Sequence, residues 1–177
     1  MQTPSVILIP GISNSGPTHW QTRWEVKYPN TIRLQQSDWD HPDCDQWAEQ
    51  LEVLVRTLPE PPLLVAHSLG CLVVGRWASQ SRRPIQAALL VAVPDPAGPS
   101  FPAEATGFSV LPPDLGHSRV VMVSSTNDPF ASAGYSQQRA LAWNAEHITL
   151  GAQGHINGAS GLGDWDQGWE IVERLST

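Results

Sequence analysis

Ser68 stands in the run Leu63-Leu64-Val65-Ala66-His67-Ser68-Leu69-Gly70, where an apolar, strand-like stretch gives way at once to helical spacing. A serine on such a strand-to-helix turn has its hydroxyl pushed into the open, ready to attack a carbonyl carbon. The turn is tight, so the residues two positions to either side must be small. Ala66 replaces the glycine common at the first of these positions, and Gly70 keeps the second. The helix start also leaves an orphan N–H, that of Leu69, aimed where an oxyanion would form. The plainer alternative is a serine that merely caps the helix. His67 precedes it on the strand and, by strand alternation, points to the face opposite the pocket, which reads as structural.

A nucleophilic serine needs a base, and the base needs a group that orients it. On this type of turn the partners follow in the order serine, acid, histidine. Asp128 lies in Ser125-Thr126-Asn127-Asp128-Pro129-Phe130, just after one strand-like run, and His155 closes Gly151-Ala152-Gln153-Gly154-His155 after the next. Loops beyond the carboxyl ends of parallel strands are where sites form in such sheets. Taken singly, Asp128 before a proline reads equally as a turn residue, and His155 as a loop residue. Asp95, after the preceding strand, is the second choice of acid. His19, His41 and His117 are misplaced for the base, although His19 is a candidate for the pocket wall. Cys71, one turn beyond Ser68, reads as a packed small residue rather than a nucleophile.

The loop Ile9-Pro10-Gly11-Ile12-Ser13-Asn14-Ser15-Gly16-Pro17-Thr18 carries glycines reminiscent of a phosphate cradle, but Pro17 stands where a lysine would have to reach the phosphates. Ser13 likewise breaks a dinucleotide-binding turn. As part of a hydrolytic site this loop would supply the second oxyanion donor, the N–H of Ile12. Ser13, Asn14, His19, Trp20, Pro94 and Ile156 are the candidate pocket lining. The acidic stretch Asp38-Trp39-Asp40-His41-Pro42-Asp43-Cys44-Asp45 lacks the spacing and glycine of a calcium loop and is expected to cap the helix that follows. No metal and no organic cofactor is expected.

Positioning these groups falls to short apolar runs at 6–9, 31–34, 63–66, 87–93, 120–124 and 147–150. Several are almost continuous in Val, Leu, Ile and Ala, as strands covered on both faces are. Between them lie helical spacings: Trp20, Trp24 and Tyr28; then Trp47, Leu51, Leu54, Val55 and Leu58; then 69–79, 135–144 and 165–175. The alternation predicts an α/β fold, a doubly wound and mostly parallel sheet of about six strands with helices on both faces, forming one domain over 1–177. The segment from Pro94 to Gly116 is rich in Pro and Gly, and a loop this long is expected to be functional or mobile, with a lid as one role open to it. Most of the eight tryptophans should be buried for packing.

Composition narrows the partners. A net charge of −7, with only ten Lys and Arg spread thinly, opposes a nucleic-acid or anionic-membrane surface. No apolar run is long enough to span a bilayer, and residues 1–5 carry no basic leader signal. Two cysteines without a CxxC spacing fit a reducing cytoplasm. The expected partner is a small-molecule acyl substrate, and oligomeric state is left open.

Taken together, Pro10-Gly11 with Asn14-Ser15-Gly16, His19-Trp20-Gln21, Trp24, Trp39, Pro42, Trp47, Ala66 to Gly70, Asp128-Pro129, Gly154-His155-Ile156-Asn157, Gly161, Gly163 and Trp165 resemble the small α/β-hydrolases typified by the retinoblastoma-binding serine hydrolase and its bacterial relatives. The resemblance runs through nearly the whole chain. It implies a compact hydrolase without a large cap domain, with a triad of Ser68, Asp128 and His155. The Leu-x-Cys-x-Glu signature behind the mammalian name is not matched, because Cys71 follows Leu69 but precedes Val73, so partner binding of that kind does not carry over. The expected activity is a serine esterase acting through an acyl-enzyme, rising as His155 loses its proton. The alternatives are an acyltransferase and a non-catalytic binding module on a hydrolase fold.

Overall fold

The computed structural model describes residues 4–112, 114–116 and 118–177. His117, considered above as a base, lies outside the described residues, as do residues 1–3 of the leader reading. Six strands form one sheet: β1 (Val6–Ile9), β2 (Thr31–Arg33), β3 (Leu63–His67), β4 (Ala87–Val91), β5 (Arg119–Ser124) and β6 (Glu146–Thr149). Their order is β2-β1-β3-β4-β5-β6, and every neighbouring pair is parallel. Each residue of β1, β3 and β4 is buried. That is why these runs are apolar without alternation: both faces are covered. The edge strands β2 and β6 are only partly buried and carry Thr, Arg, Glu and His.

Helices α1 (Trp20–Lys27), α2 (Cys44–Thr57), α3 (Leu69–Gln80), α4 (Ala133–Ala142) and α5 (Asp166–Leu175) divide between the two faces. One core joins Trp47, Leu51 and Val55 of α2 to Leu72 and Trp77 of α3, to Ala140 of α4 and to Trp143 just beyond it. The other joins Trp20 and Trp24 of α1 to Trp165 and to Trp169 and Val172 of α5. Here Trp24 stacks on Trp165 with centroids 5.8 Å apart, and Tyr28 lies flat against Trp169. Seven of the eight tryptophans are buried, Trp39 being the half-exposed one. The acidic stretch does cap: Asp43 accepts from the Gln46 N–H at the start of α2, with Asp45 in its first turn. Asp38 instead holds the backbone of Asp40 and His41.

Among its described residues the long segment 94–116 contains neither helix nor strand, yet it is anchored. Thr106 forms a parallel bridge to Asp43, Phe108 is buried against Trp47, and the Pro112 carbonyl accepts from the Trp143 indole at 3.1 Å. Apolar side chains and backbone pairing do for this loop what regular structure does elsewhere.

Strand order decides where a site can form. The chain leaves β1 toward β2 and later enters β3 on the other side of β1, so the loops after β1 and β3 part in opposite directions and open a crevice at the carboxyl edge. Those two loops contain Ile12 and Ser68.

Candidate active site

Ser68 is the turn between β3 and α3, with φ 55° and ψ −125°. A non-glycine residue in that region is strained and persists only where its surroundings enforce it. Enforcement comes from three sides. The Ser68 N–H donates to the Val91 carbonyl of β4, and the Ser68 carbonyl accepts from Cys71 N–H. A Cβ on Gly70 would collide with the Ile9 carbonyl and lie 2.8 Å from that of Pro10; one on Gly11 would stand 2.9 Å from Ser68 Cβ and 3.3 Å from Leu69 N. The elbow helix therefore packs directly on the end of β1. Gly70 is required by that neighbour, not by its own strand. The same approach brings the loop holding Ile12 against the first N–H of α3, which has no helical partner of its own.

Asp128 and His155 reach the serine from loops after β5 and β6 that are sewn together. Asn127 Oδ1 accepts from Ser125 Oγ at 2.9 Å and from Gly154 N–H at 2.7 Å. Ser125 Oγ in turn accepts from Gln153 N–H at 2.9 Å. The neighbouring residue Asp128 is thereby carried to His155: His155 Nδ1 lies 2.9 Å from each Asp128 carboxylate oxygen, and His155 Nε2 lies 2.8 Å from Ser68 Oγ. A carboxylate only accepts, so the Nδ1 proton faces Asp128 and Nε2 is left to accept from the serine hydroxyl. The Asp128 side chain is 2% exposed, and its Oδ1 is further fixed by Phe130 N–H at 2.9 Å. Phe130 packs its ring 4.5 Å from the imidazole centroid. Asp95 does not compete: its carboxylate closes a local turn on Ala97 N–H.

These groups line a cavity of about 220 Å³ bounded by Gly11, Ile12, Asn14, His19, His67, Ser68, Leu69, Pro94, Pro102, Phe130, His155 and Asn157. Of the residues expected at its wall, Asn14, His19 and Pro94 are there, and so are Ile12 and Leu69, the expected oxyanion donors. Ser13, Trp20 and Ile156 are not. Ser13 is exposed and donates to Asp40 at 3.0 Å. Trp20 is sunk in the tryptophan core and donates its indole N–H to the Ile156 carbonyl at 2.8 Å, while the Ile156 side chain is wholly buried beside it. Pro102, Phe130 and Asn157, none of them expected there, also line the cavity, as does His67, expected to face away from the pocket. His67 is the instructive one: it keeps the alternation of β3, facing with Leu63 and Val65 toward Trp20 and His19, but at the carboxyl end of the strand that face borders the cavity. Arg33, on edge strand β2, went unremarked as well. Its guanidinium is nearly buried and donates to Asn14 Oδ1, the Ser15 carbonyl and Thr22 Oγ1, fixing the loop after β1.

Electrostatics keep the surroundings neutral. Burial first, then Arg33 and His155, bring the pKa of His19 down to about 4, and burial likewise holds His67 well below the ordinary histidine range. Burial pushes the Cys71 thiol up, away from a reactive thiolate. A wider groove of about 460 Å³ between α2 and the end of α3 lies apart, and among the described residues its wall has no histidine. Among the described residues no helix is long and apolar enough to cross a membrane.

No curated protein matches the chain. Among solved structures it is similar to a protein described as a YdeN-like hydrolase from Pectobacterium atrosepticum, 29% identical with a TM-score of 0.85 over 99% of this chain and 91% of the other. It is also similar to the ydeN gene product of B. subtilis, 20% identical, TM-score 0.75, over 98% of each chain. A thermophilic esterase from Thermogutta terrifontis, 14% identical, shares the fold with a TM-score of 0.71 over 98% of this chain and 91% of the other. The model of one family, described as serine hydrolase, matches residues 6–174, and the chain belongs to that family.

Proposed function

We propose that this serine hydrolase cleaves small, uncharged esters by acyl transfer to water, with Ser68 as nucleophile, His155 as base and Asp128 as the acid that orients it. The observation that carries the reading is the unbroken path from Ser68 Oγ through His155 to both oxygens of a buried Asp128, at the wall of a cavity. In the first half-reaction Ser68 Oγ bonds to the acyl carbon as its proton passes to His155 Nε2. The tetrahedral oxyanion is held by the N–H groups of Ile12 and Leu69, each lowering the barrier by about 3 kcal/mol. The same proton then goes to the departing alkoxide; in the second half water bonds to the acyl carbon as its proton passes to His155 Nε2, and that proton returns to Ser68 Oγ as the acyl–serine bond breaks and the carboxylic acid is released.

Size and chemistry of the cavity support the substrate class. At about 220 Å³ it is smaller than the roughly 300 Å³ at which drug-sized sites begin. Among the described residues that line it there is no Lys, Arg, Asp or Glu. Beside Ser68 and the three histidines, its polar side chains are two asparagines, and both have their carbonyls committed to the protein: Asn14 Oδ1 to Ser15 N–H and Arg33, Asn157 Oδ1 to Ala159 N–H. What each has left for a substrate is an amide N–H, which favours esters bearing a further oxygen acceptor over purely hydrocarbon ones.

Fluorophosphonate labelling with peptide mapping tests the mechanism, and p-nitrophenyl esters of increasing acyl length test the substrate. One adduct on Ser68, absent from Ser68→Ala and His155→Ala, with turnover greatest for the shortest acyl groups, is the expected result. A folded wild-type protein that neither labels nor turns over any ester would sink the reading in favour of a binding module.

A further inference from the structure

We infer that His67 and His19 are positioning residues: two neutral imidazoles joined in a directed hydrogen-bond chain that grips the backbone of His155 and so holds its ring between Asp128 and Ser68. The inference rests on the role proposed for His155.

The direction of the chain follows from its two ends. Gln21 N–H lies 3.1 Å from His19 Nδ1 and can only donate, so that nitrogen accepts and the proton of His19 sits on Nε2. His19 Nε2 is 3.4 Å from His67 Nδ1, which must then accept, placing the proton of His67 on its own Nε2. That nitrogen is 2.9 Å from the His155 carbonyl oxygen, which can only accept. Backbone donor at one end and backbone acceptor at the other leave a single consistent assignment for both rings. A proton added to either ring would set two donors against each other. Burial favours the neutral forms of both, and the titratable groups bearing on the pair, Arg33 and His155, oppose a positive charge there.

The backbone at the far end needs such a grip. Ile156, directly after His155, has φ 50°, a left-handed conformation that a β-branched side chain strongly disfavours. Two successive carbonyls at this bend are held by ring N–H groups, His155 by His67 and Ile156 by the Trp20 indole. Both rings are buried, edge to face at 4.6 Å, and His67 lies 4.9 Å from the His155 ring. Because the chain ends on a carbonyl and not on the His155 imidazole, it acts as a clamp and carries no proton to the base. It also ties together the residue before Ser68, the residue before α1 and the histidine loop, three segments that meet only in the folded protein.

His67→Leu removes the link and His67→Gln retains an amide donor near the position of Nε2. His19→Asn keeps a good cap for α1 but deletes the Nε2 donor. On p-nitrophenyl acetate, His67→Leu is expected to lower kcat by roughly 30- to 100-fold, the loss typical of a misplaced catalytic group. KM should stay nearly unchanged, and the fluorophosphonate labelling rate should fall in parallel. His67→Gln should recover most of that loss, and His19→Asn should show a smaller decrease. A folded His67→Leu protein with kcat and labelling rate like the wild type would overturn the inference. Independently of any variant, long-range ¹H–¹⁵N spectra of the ¹⁵N-histidine protein should show both rings as Nε2–H tautomers at neutral pH; an Nδ1–H tautomer or an imidazolium at either would overturn it too. Wild-type protein that fails to label removes the assigned base and the clamp's role with it, whereas wrong tautomers in protein that does label remove the clamp alone.

Discussion

Ser68 and its two partners are held in place by different physics. The serine is set by crowding: its strained turn is boxed in by β4 behind and by the end of β1 in front, with Gly11 and Gly70 present because nothing larger fits. Asp128 and His155 are set by directed side-chain hydrogen bonds, through Asn127 and Ser125 between the loops and His67 behind them. Crowding tolerates no added atom but is indifferent to polarity. A hydrogen-bonded loop tolerates changes of volume but fails when one donor or acceptor is removed. The two halves of the site should therefore break under opposite kinds of substitution.

The largest effect expected lies on the hydrogen-bonded side. Asp128→Asn preserves shape but presents an amide to His155 Nδ1, allowing the ring its other tautomer and placing a proton on the nitrogen that must accept from Ser68. The drop in kcat should be about 10⁴-fold, with a melting curve close to that of the wild type. Asp95→Asn, which alters only a local turn, should change kcat by less than about twofold under the same assay; if it is the more damaging of the two, the acid has been assigned to the wrong loop.

On the crowded side the matching substitution adds a methyl group. Gly70→Ala would drive Cβ into the Ile9 and Pro10 carbonyls, backbone atoms that cannot swing aside. It should cost about 3 kcal/mol of stability, at the upper end for overpacking, read as a lowered midpoint in urea. Unchanged stability would mean that the elbow is not held by the packing described here.

Acidification probes the boundary between the two regions, where His19 and His67 sit. With His19 at about 4 in the native protein and an ordinary histidine value near 6.5 when unfolded, the unfolded chain binds the extra proton throughout that interval. Stability is thus fully present above about pH 6.5 and falls as the pH drops toward 4, by about 3 kcal/mol from this group alone. His67 adds to the loss in the same direction. Urea titrations from pH 7 to 4.5 should show the decline. A midpoint that holds or rises over that range would mean that the histidines are not kept neutral in the folded state.

The two regions also differed in how legible they were. The apolar runs of β1, β3 and β4 announce buried parallel strands, and the sequence order of Ser68, Asp128 and His155 points to the groups the fold assembles, because local pattern and chain order report backbone architecture. The cavity wall was less readable. Ser13, Trp20 and Ile156 neighbour cavity residues in sequence yet face solvent or the tryptophan core, since a loop has no period from which orientation follows. Arg33, His67 and Asn157 act through partners between 3 and 88 positions away, and a single sequence carries no local sign of such pairings. Likewise Gly70 could be read as small, but that β1 is what makes it so appears only when the strands are ordered.

The mildest of the damaging substitutions sharpens the contrast most. Asn127→Ala removes the oxygen shared by Ser125 and Gly154 without adding bulk, a change that the crowded side of the site would tolerate. On this side it should loosen the loop carrying His155, lowering kcat by about 10- to 30-fold with KM little altered, and destabilising the fold by only about 1 kcal/mol, the ordinary worth of a hydrogen bond. Ser125→Ala strips the same network from its other end. Because Ser125 Oγ both donates to Asn127 and accepts from Gln153, the double variant should be scarcely slower than the worse of the two single ones, as expected for residues that act as a unit. Fully additive losses would show two independent contacts in place of one network, and the loops would then owe their placement to packing, as the serine does.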